Sequence, residues 1–349
     1  MAKGLVSDTN LTAIANAIRT KNGSSDRYTP STMAQAISDI PTSQVDQESA
    51  LKYMLENKTD YTGIAAGLTT LAALPAFIQT SVNVFDSAFS ECTSLVDFSN
   101  LDLSAVNSKY DTRKMFYHCS SATTVPNFST NSEVGTIYAE SMFEGCSNLT
   151  TVVLSGRYFF RGARSIRRIF FNCKKLTSFN SDSGSYPNLI SCSKADDFEA
   201  AFYSCSAITQ ISLGKIGNNP NSGLKTNIHQ IFLNCSKLAT VKAASGNSVY
   251  SMDLSNVYRS SAAFYGCSKL ATVPVLNFGA NLTNADSIFG NCPSLSSDSL
   301  NNILASFVNA TNLPTKTLKY IGLSSAQATT CTGLSNWAAL SAAGWTTGY

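Results

Sequence analysis

The sequence predicts an α/β solenoid: a leucine-rich-repeat array of about eight coils with a small helical N-terminal module and a C-terminal cap. Three observations lead to this prediction. One pattern recurs eight times, each copy places apolar residues at every third position, and both ends of the chain depart from the pattern. Such recurrence is typical of stacked repeats, because no copy can bury its apolar side alone and neighbouring copies together form one continuous core.

Each copy reads apolar-Phe-x-x-Cys-x-x-Leu-x-x-Val, as in "AAFYGCSKLATV" at residues 262–273. Successive repeat cysteines are 27 residues apart in the first three intervals and then 32, 30, 32 and 25 apart. The last copy is degenerate, with Asp298 in the final apolar position. We expect the Phe and Cys part to form one or two helical turns with its apolar side inward, and the Leu-x-x-Val part to lead into a short strand. The Phe and Cys pairs are Phe89 and Cys92, Phe116 and Cys119, Phe143 and Cys146, Phe170 and Cys173, Phe202 and Cys205, Phe232 and Cys235, Phe264 and Cys267, and Phe289 and Cys292.

Eight of the ten cysteines occupy one repeat position, which predicts a ladder of thiols in one core, where Cys behaves as a small apolar residue. Disulfides between adjacent coils are the alternative. Side chains that stack in parallel rarely reach the torsion of roughly 90° that the bond requires, so we expect free thiols. Cys192 and Cys331 lie outside the ladder and receive no role.

The sequence divides into four parts. Residues 1–41 form a helical attachment module, with "NLTAIANAIRTKNG" as its first helix and a second short helix starting near Pro30. Residues 42–80 are a linker and N-terminal cap, and residues 81–299 are the solenoid. Residues 300–349 are the C-terminal cap, in which we expect an amphipathic helix, a strand at 317–323 and a last helix ending near Gly344. The two tryptophans, Trp337 and Trp345, are predicted to cover the open end of the core.

Composition excludes several classes of function. The chain has 44% apolar and 13% charged residues and a net charge of +3, which favours a folded soluble protein without nucleic acid as a general partner. The uncharged segment at residues 61–85 contains Gly, Pro and Gln, so we expect a buried first coil and no membrane span. No signal peptide is visible in "MAKGLVSDTN".

No catalytic, phosphate-binding or metal-binding motif is present, so the sequence predicts neither an enzyme nor a cofactor or metal site. The two histidines, His118 and His229, lie beside the Phe position of different copies, where surface or packing roles are typical.

One segment is strongly basic. Between residues 145 and 181 there are seven Lys and Arg and no Asp or Glu. Clustered arginines beside aromatic rings suit an anionic ligand such as a phosphate-bearing wall polymer. The alternative is that they pair with acids one coil away, at residues 140 and 144 or at residues 196–199. The candidate binding residues are Arg157, Tyr158, Arg161, Arg164, Arg167, Arg168, Lys174 and Lys175.

A second candidate surface is the set of tyrosines that directly follow the repeat Phe: Tyr117, Tyr203 and Tyr265. Packing at the edge of the core is the interpretation we favour for these rings.

The eight repeats resemble the BspA-like, Treponema-type leucine-rich repeat over roughly residues 81–299. The start, "LTAIANAIRTKNGSSDRYTPSTMAQAISDI", and the end, "GLSNWAALSAAGWTTGY", are similar to segments of tail-associated proteins of phages and prophages of Gram-positive bacteria. The resemblance implies a virion protein assembled in the bacterial cytoplasm.

From these observations we expect a non-enzymatic, tail-associated receptor-binding protein. Its N-terminal module would contact other virion proteins, its coil faces would bind a host cell-surface polymer or protein, and the chain would form a homo-oligomer. The alternatives are a capsid or tail decoration protein without a receptor, and a bacterial surface adhesin.

Overall fold

The fold was analysed in a computed structural model of the chain. It describes residues 16, 44–57, 60–69, 71–74, 84–98, 101, 110–125, 128–129, 137–152, 154–155, 163–179, 188–192, 194–216, 225–243 and 252–349. The chain divides into two compact units, residues 1–50 and residues 51–349. The predicted attachment module at residues 1–41 lies outside the described residues except for Asn16, which is helical and exposed.

Four helices and twelve short strands are described. The helices are α1 (Gln44–Asn57), α2 (Ser297–Ser306), α3 (Ser325–Thr332) and α4 (Trp337–Ala342). The strands are β1 (Tyr110–Asp111), β2 (Phe128–Ser129), β3 (Ile137–Tyr138), β4 (Thr151–Val152), β5 (Leu154–Ser155), β6 (Ala163–Ser165), β7 (Ser178–Phe179), β8 (Leu189–Cys192), β9 (Gln210–Ile216), β10 (Thr226–Asn227), β11 (Thr240–Ala243) and β12 (Val257–Arg259).

All strand pairs within the described residues are parallel and join neighbouring copies of the repeat. Two sheets have three strands, in the orders β1-β3-β6 and β11-β9-β8, and three have two strands, β10-β12, β2-β5 and β4-β7. In β4 and β7, Thr151 lies opposite Ser178 and Val152 opposite Phe179, a register of 27 residues. The pairing register therefore follows the sequence period in this region.

Each copy starts with overlapping turns, and the prediction of helical turns here was wrong. In every copy, the seven residues from the fourth before the repeat Phe to the second after it contain no α-helical residue. In the first copy the amides of Ala88 and Cys92 bond to carbonyls three residues earlier, at 3.1 and 3.3 Å. The amide of Phe89 between them instead donates to Met115 of the next copy at 2.9 Å. In an α-helix, each of these amides would bond to a carbonyl four residues earlier in the same segment. Because amides such as that of Phe89 bond to the next copy instead, this segment cannot be helical. We call this seven-residue stretch the turn arc.

The repeat phenylalanines stack as one buried column. Ring centroids of successive phenylalanines, from Phe89 to Phe289, are 5.3 to 5.7 Å apart. All eight rings and all eight repeat cysteines are buried, which confirms their predicted burial, and none of the ten cysteines forms a disulfide.

The repeat cysteine also has a role as a hydrogen-bond donor. The thiol of Cys146 donates to the carbonyl of Phe116 in the preceding copy at 3.0 Å, and the same carbonyl accepts the amide of Cys119 at 3.2 Å. From Cys119 to Cys292 each thiol donates in this way to the preceding repeat Phe, at 3.0 to 3.1 Å. A small side chain with a weak donor thus fills the core and satisfies the second lone pair of a buried carbonyl.

Two positions of every turn arc have a left-handed backbone, namely the second residue before the repeat Phe and the second after it. Their φ angles lie between 51° and 77° in all eight copies. At the later position Gly145 is also crowded, because a Cβ there would lie 2.1 Å from Cδ2 of the His118 ring in the preceding copy. Gly or Asn occupies this position in five of the eight copies, which follows from the backbone, since these residues tolerate positive φ.

Before the first full copy, residues 61–67 already make the contacts of a turn arc. The amides of Tyr61 and Ala65 donate to Val84 and Ala88 of the first copy at 2.9 and 2.8 Å, and Ala65 stands where later copies have Phe. The described part of the uncharged segment therefore pairs as a coil. Among the described residues no helix has the length and apolar character needed to cross a membrane.

The C-terminal segment begins with α2, whose apolar side (Leu300, Ile303 and Leu304) is buried as expected. The predicted strand at residues 317–323 was wrong. Only Thr317 pairs, through one parallel bridge to Thr346, and turns follow it. Helix α3, which carries the buried Cys331, was not predicted from the sequence. Trp345 is buried with its ring 5.3 Å from that of Phe307, so it packs against the end of the core.

Candidate functional site

The outer surface of the turn arcs carries two regular columns of side chains. We number positions from the repeat Phe and call the residues at −3 and +1 together the outer face. Residues at −1 and at the Phe position are buried in every copy, whereas most of those at −3 and +1 are partly or fully exposed; the buried exceptions are Glu144, Leu233, Ser261 and Gly290. From the first copy to the last, position −3 holds Asp86, Arg113, Glu140, Arg167, Glu199, His229, Ser261 and Asp286. Position +1 holds Ser90, Tyr117, Glu144, Phe171, Tyr203, Leu233, Tyr265 and Gly290.

The −3 column alternates acid and base over its first five copies. Arg113 lies 3.7 Å from Asp86 of the copy before it, and Arg167 lies 2.9 Å from Glu199 of the copy after it. Arg113 also pairs with Asp111 of its own copy, through Nε at 2.8 Å. Ion pairs thus join neighbouring copies at both ends of this series, while Glu140 between the two arginines forms no ion pair within 4 Å among the described residues, and its buried Oε2 has no hydrogen-bond partner there.

Arg168 ties the two columns together. Its guanidinium makes a bidentate pair with Glu144 of the preceding copy, with Nε donating to Oε2 at 2.8 Å, and lies 3.8 Å over the ring of Phe171. Burial opposes the charge of Glu144, but hydrogen bonds from Arg168 and Ser141 outweigh it, so the pKa of this carboxyl is lowered. The arginine is thereby committed to an internal contact.

This geometry places only part of the predicted basic patch together. Arg167 and Arg168 pair with acids of neighbouring copies, which is the second of the two alternatives that the sequence left open. Arg164, Lys174 and Lys175 are exposed, and binding of a ligand by these three stays a prediction. Arg157, Tyr158 and Arg161 lie outside the described residues.

The tyrosines of the +1 column are half-buried and stack along the outer face. Tyr203 lies 4.5 Å from Phe171, with an interplanar angle of 18°, and Tyr117 stacks on the neighbouring His118 ring at 4.0 Å. Each ring is held by its neighbours while part of it remains accessible. The rings serve both as packing at the edge of the core and as a rigid exposed surface.

Sequence reasoning missed the −3 column, although a signal was present. Once the repeats are aligned on Phe, the alternation of acid and base three residues earlier is visible. The pairing of these residues depends on the register between copies, which the sequence alone does not establish.

Among the described residues, no three His, Cys, Asp or Glu side chains are grouped so that they could hold a metal ion. Comparisons with protein families, with curated proteins and with solved structures gave no match.

Proposed function

We propose that this chain is an α/β solenoid of leucine-rich-repeat type that acts as a non-enzymatic, tail-associated receptor-binding protein of a phage or prophage of Gram-positive bacteria. The observation that carries the proposal is the outer face. It presents charges and half-exposed aromatic rings at regular intervals from one copy to the next, on a backbone linked by hydrogen bonds.

Most charges of the outer face are paired. Asp86 pairs with Arg113, Glu199 with Arg167 and Glu144 with the adjacent Arg168, which leaves a small net negative charge from Glu140 and Asp286. A surface of this kind discriminates by shape and by hydrogen bonds more than by long-range attraction. It suits recognition of a defined host polymer or protein.

The two ends of the sequence support placement on a virion, because both resemble tail-associated proteins. In the proposal, the N-terminal module contacts other virion proteins, and the chain, assembled in the bacterial cytoplasm as a homo-oligomer, presents its outer face to the host. The buried thiols, none of which forms a disulfide, suit a protein that folds in a reducing compartment.

The experiment is binding of purified full-length protein to cells and isolated walls of the Gram-positive host, together with phage adsorption after pretreatment of the cells with the protein. We expect saturable binding and reduced adsorption. Absence of binding, with adsorption unchanged by the protein and by antibodies against it, would contradict the receptor-binding role. Antibody labelling of intact particles then separates a tail position from capsid decoration.

A further inference from the structure

A groove of about 430 Å³ crosses the outer face at the last three copies. Its size lies within the roughly 300–1,000 Å³ common for small-ligand sites. It exists because Ser261 and Ala262 are small where other copies place larger side chains such as Arg167 and Arg168. The lining residues used in the argument are His229, Arg259, Ser261, Tyr265, Asn284 and Asp286.

Tyr265 is held rigidly at the groove. Its ring packs on Gly290 of the next copy so closely that a Cβ on this glycine would lie 2.5 Å from the ring carbon Cδ2. The Tyr265 hydroxyl accepts a hydrogen bond from Nδ2 of Asn291 at 2.8 Å. The aromatic surface is therefore oriented before any ligand arrives, which lowers the entropic cost of binding.

His229 is held as a neutral acceptor. Its Nδ1 lies 2.8 Å from the carbonyl oxygen of Ser261 and 2.7 Å from Oγ of the same residue. A carbonyl can only accept, so Nδ1 carries the proton and Nε2 keeps its lone pair. Burial lowers the pKa of His229, although its bond to Ser261 opposes this effect, and the neutral ring is favoured.

The charges at the groove are balanced. Arg259 lies 3.8 Å from Glu199, and the exposed carboxylate of Asp286 accepts a hydrogen bond from Ser287 at 3.1 Å. Asn284 adds an amide at the rim. Donors and acceptors are thus mixed around one fixed aromatic ring, without excess charge to attract a polyanion.

We propose that this groove binds one neutral sugar ring of a cell-surface polysaccharide, an inference that rests on the proposed function and names its ligand class. The apolar C–H face of a sugar packs against the negative face of an aromatic ring such as Tyr265. Its hydroxyls require closely spaced donors and acceptors, which His229, Arg259, Asn284 and Asp286 supply.

The test titrates the full-length protein with neutral sugars, namely glucose, galactose, mannose, rhamnose, N-acetylglucosamine and N-acetylgalactosamine, by ligand-observed NMR. The blocking variant is Ser261→Arg, because arginine occupies the equivalent position in two other copies and is compatible with the fold there. The matched control is Thr62→Arg, which adds the same side chain at the equivalent position of the arc before the first copy. We expect at least one sugar to bind, Ser261→Arg to weaken binding by about tenfold or more, and Thr62→Arg to leave it unchanged.

A second pair of variants guards against misfolding of the first. Tyr265→Ala removes the aromatic surface, and the control Tyr53→Ala removes an exposed ring on α1, outside the outer face. We expect only Tyr265→Ala to weaken sugar binding. If no sugar binds, or if Ser261→Arg and Tyr265→Ala bind as the wild type does, the groove proposal is overturned.

Binding to host cells, measured with the same variants, separates the two proposals. If the wild type binds to cells and Ser261→Arg binds equally well, the groove proposal is overturned. The receptor-binding role is then preserved, with another polymer or a protein as the receptor. Sugar binding that depends on Ser261, without any binding to cells, supports the groove and contradicts the receptor-binding role.

Discussion

The inner and outer columns of the turn arcs lie three residues apart in each copy, yet they follow opposite rules. The inner column repeats one residue, Phe, eight times, with rings 5.3 to 5.7 Å apart. The outer column at −3 alternates acid and base and then changes to His, Ser and Asp. Identical apolar side chains gain from stacking in a dry core, whereas identical charges at the same spacing repel each other. The repeat therefore constrains composition inside and leaves it variable on the outer face, which we propose as the recognition surface.

The largest expected effect is alkaline unfolding, and it comes from the inner side. Burial raises the pKa of the Cys92 thiol to about 11 and that of Cys146 to about 12, and it raises the pKa of the other thiols as well. A folded pKa above the unfolded value near 8.5 means that the contribution to stability is full below about pH 8.5 and is lost as pH rises. Above that pH, each buried thiol lowers the free energy of unfolding by ~1.4 kcal/mol per pH unit. Ten such thiols therefore lower it by more than the usual total stability of a protein within roughly two pH units.

We therefore expect cooperative unfolding between about pH 9 and 11, followed by circular dichroism and by thiolate absorbance. As the control, Cys146→Ala should make the fall of stability with pH shallower by ~1.4 kcal/mol per unit. Thiolates that form while the circular dichroism stays native would contradict this prediction.

The second prediction compares the two columns by truncation. Phe143→Ala leaves a cavity between two stacked rings and should destabilise the fold by about 3–5 kcal/mol, measured by denaturant unfolding. Tyr203→Ala on the outer face should cost less than half as much, because its ring is only half-buried. Equal losses would show that the outer rings belong to the core.

The third prediction concerns the close contact between copies at Gly145. Gly145→Ala should destabilise the protein by about 1–3 kcal/mol, because the new Cβ meets the His118 ring at a positive φ of 77°. In the double variant with His118→Ala the clash is removed, so the loss of stability should fall to the backbone strain of about 1 kcal/mol. A double variant no more stable than the single one would locate the whole cost in the backbone.

The smallest expected effects separate two ion pairs of the outer face. Glu144→Gln should cost about 1–2 kcal/mol, because the carboxylate is 7% exposed and accepts two bonds from Arg168. Asp86→Asn, which affects the exposed contact at 3.7 Å, should cost less than about 1 kcal/mol.

The Glu144 pair also has a defined pH dependence. Because the folded pKa of Glu144 is lowered, its contribution is present above the unfolded pKa of about 4.3 and is lost as pH falls through the lowered value. The difference in unfolding free energy between wild type and Glu144→Gln should therefore shrink on acidification. A difference that does not change with pH would refute the ionic contribution.

The sequence was most informative about the inner side. The spacing of Phe and Cys predicted their burial because every copy repeats the same solution, and the interval of 27 residues in the first copies matches the register of β4 and β7. The turn arcs could not be predicted, because apolar residues at every third position fit a helix equally well. The requirement for amides that reach the next copy, as Phe89 does, becomes visible only when the copies are placed side by side.

The candidate site was harder to predict for a related reason. The charges of Arg167 and Arg168 were visible in the sequence, but whether they face a ligand or Glu199 and Glu144 depends on the register between copies. The groove depends on the small side chains of Ser261 and Ala262, and small residues give little signal in a sequence with many serines and alanines.

In each turn arc, amides that donate to the next copy alternate with amides that do not, so every repeat has a donor side and an acceptor side. Because all copies use the same backbone contacts, recombination between similar repeats can add or remove whole repeats while these backbone contacts are kept. The number of copies and the side chains of the outer face can then change independently of each other.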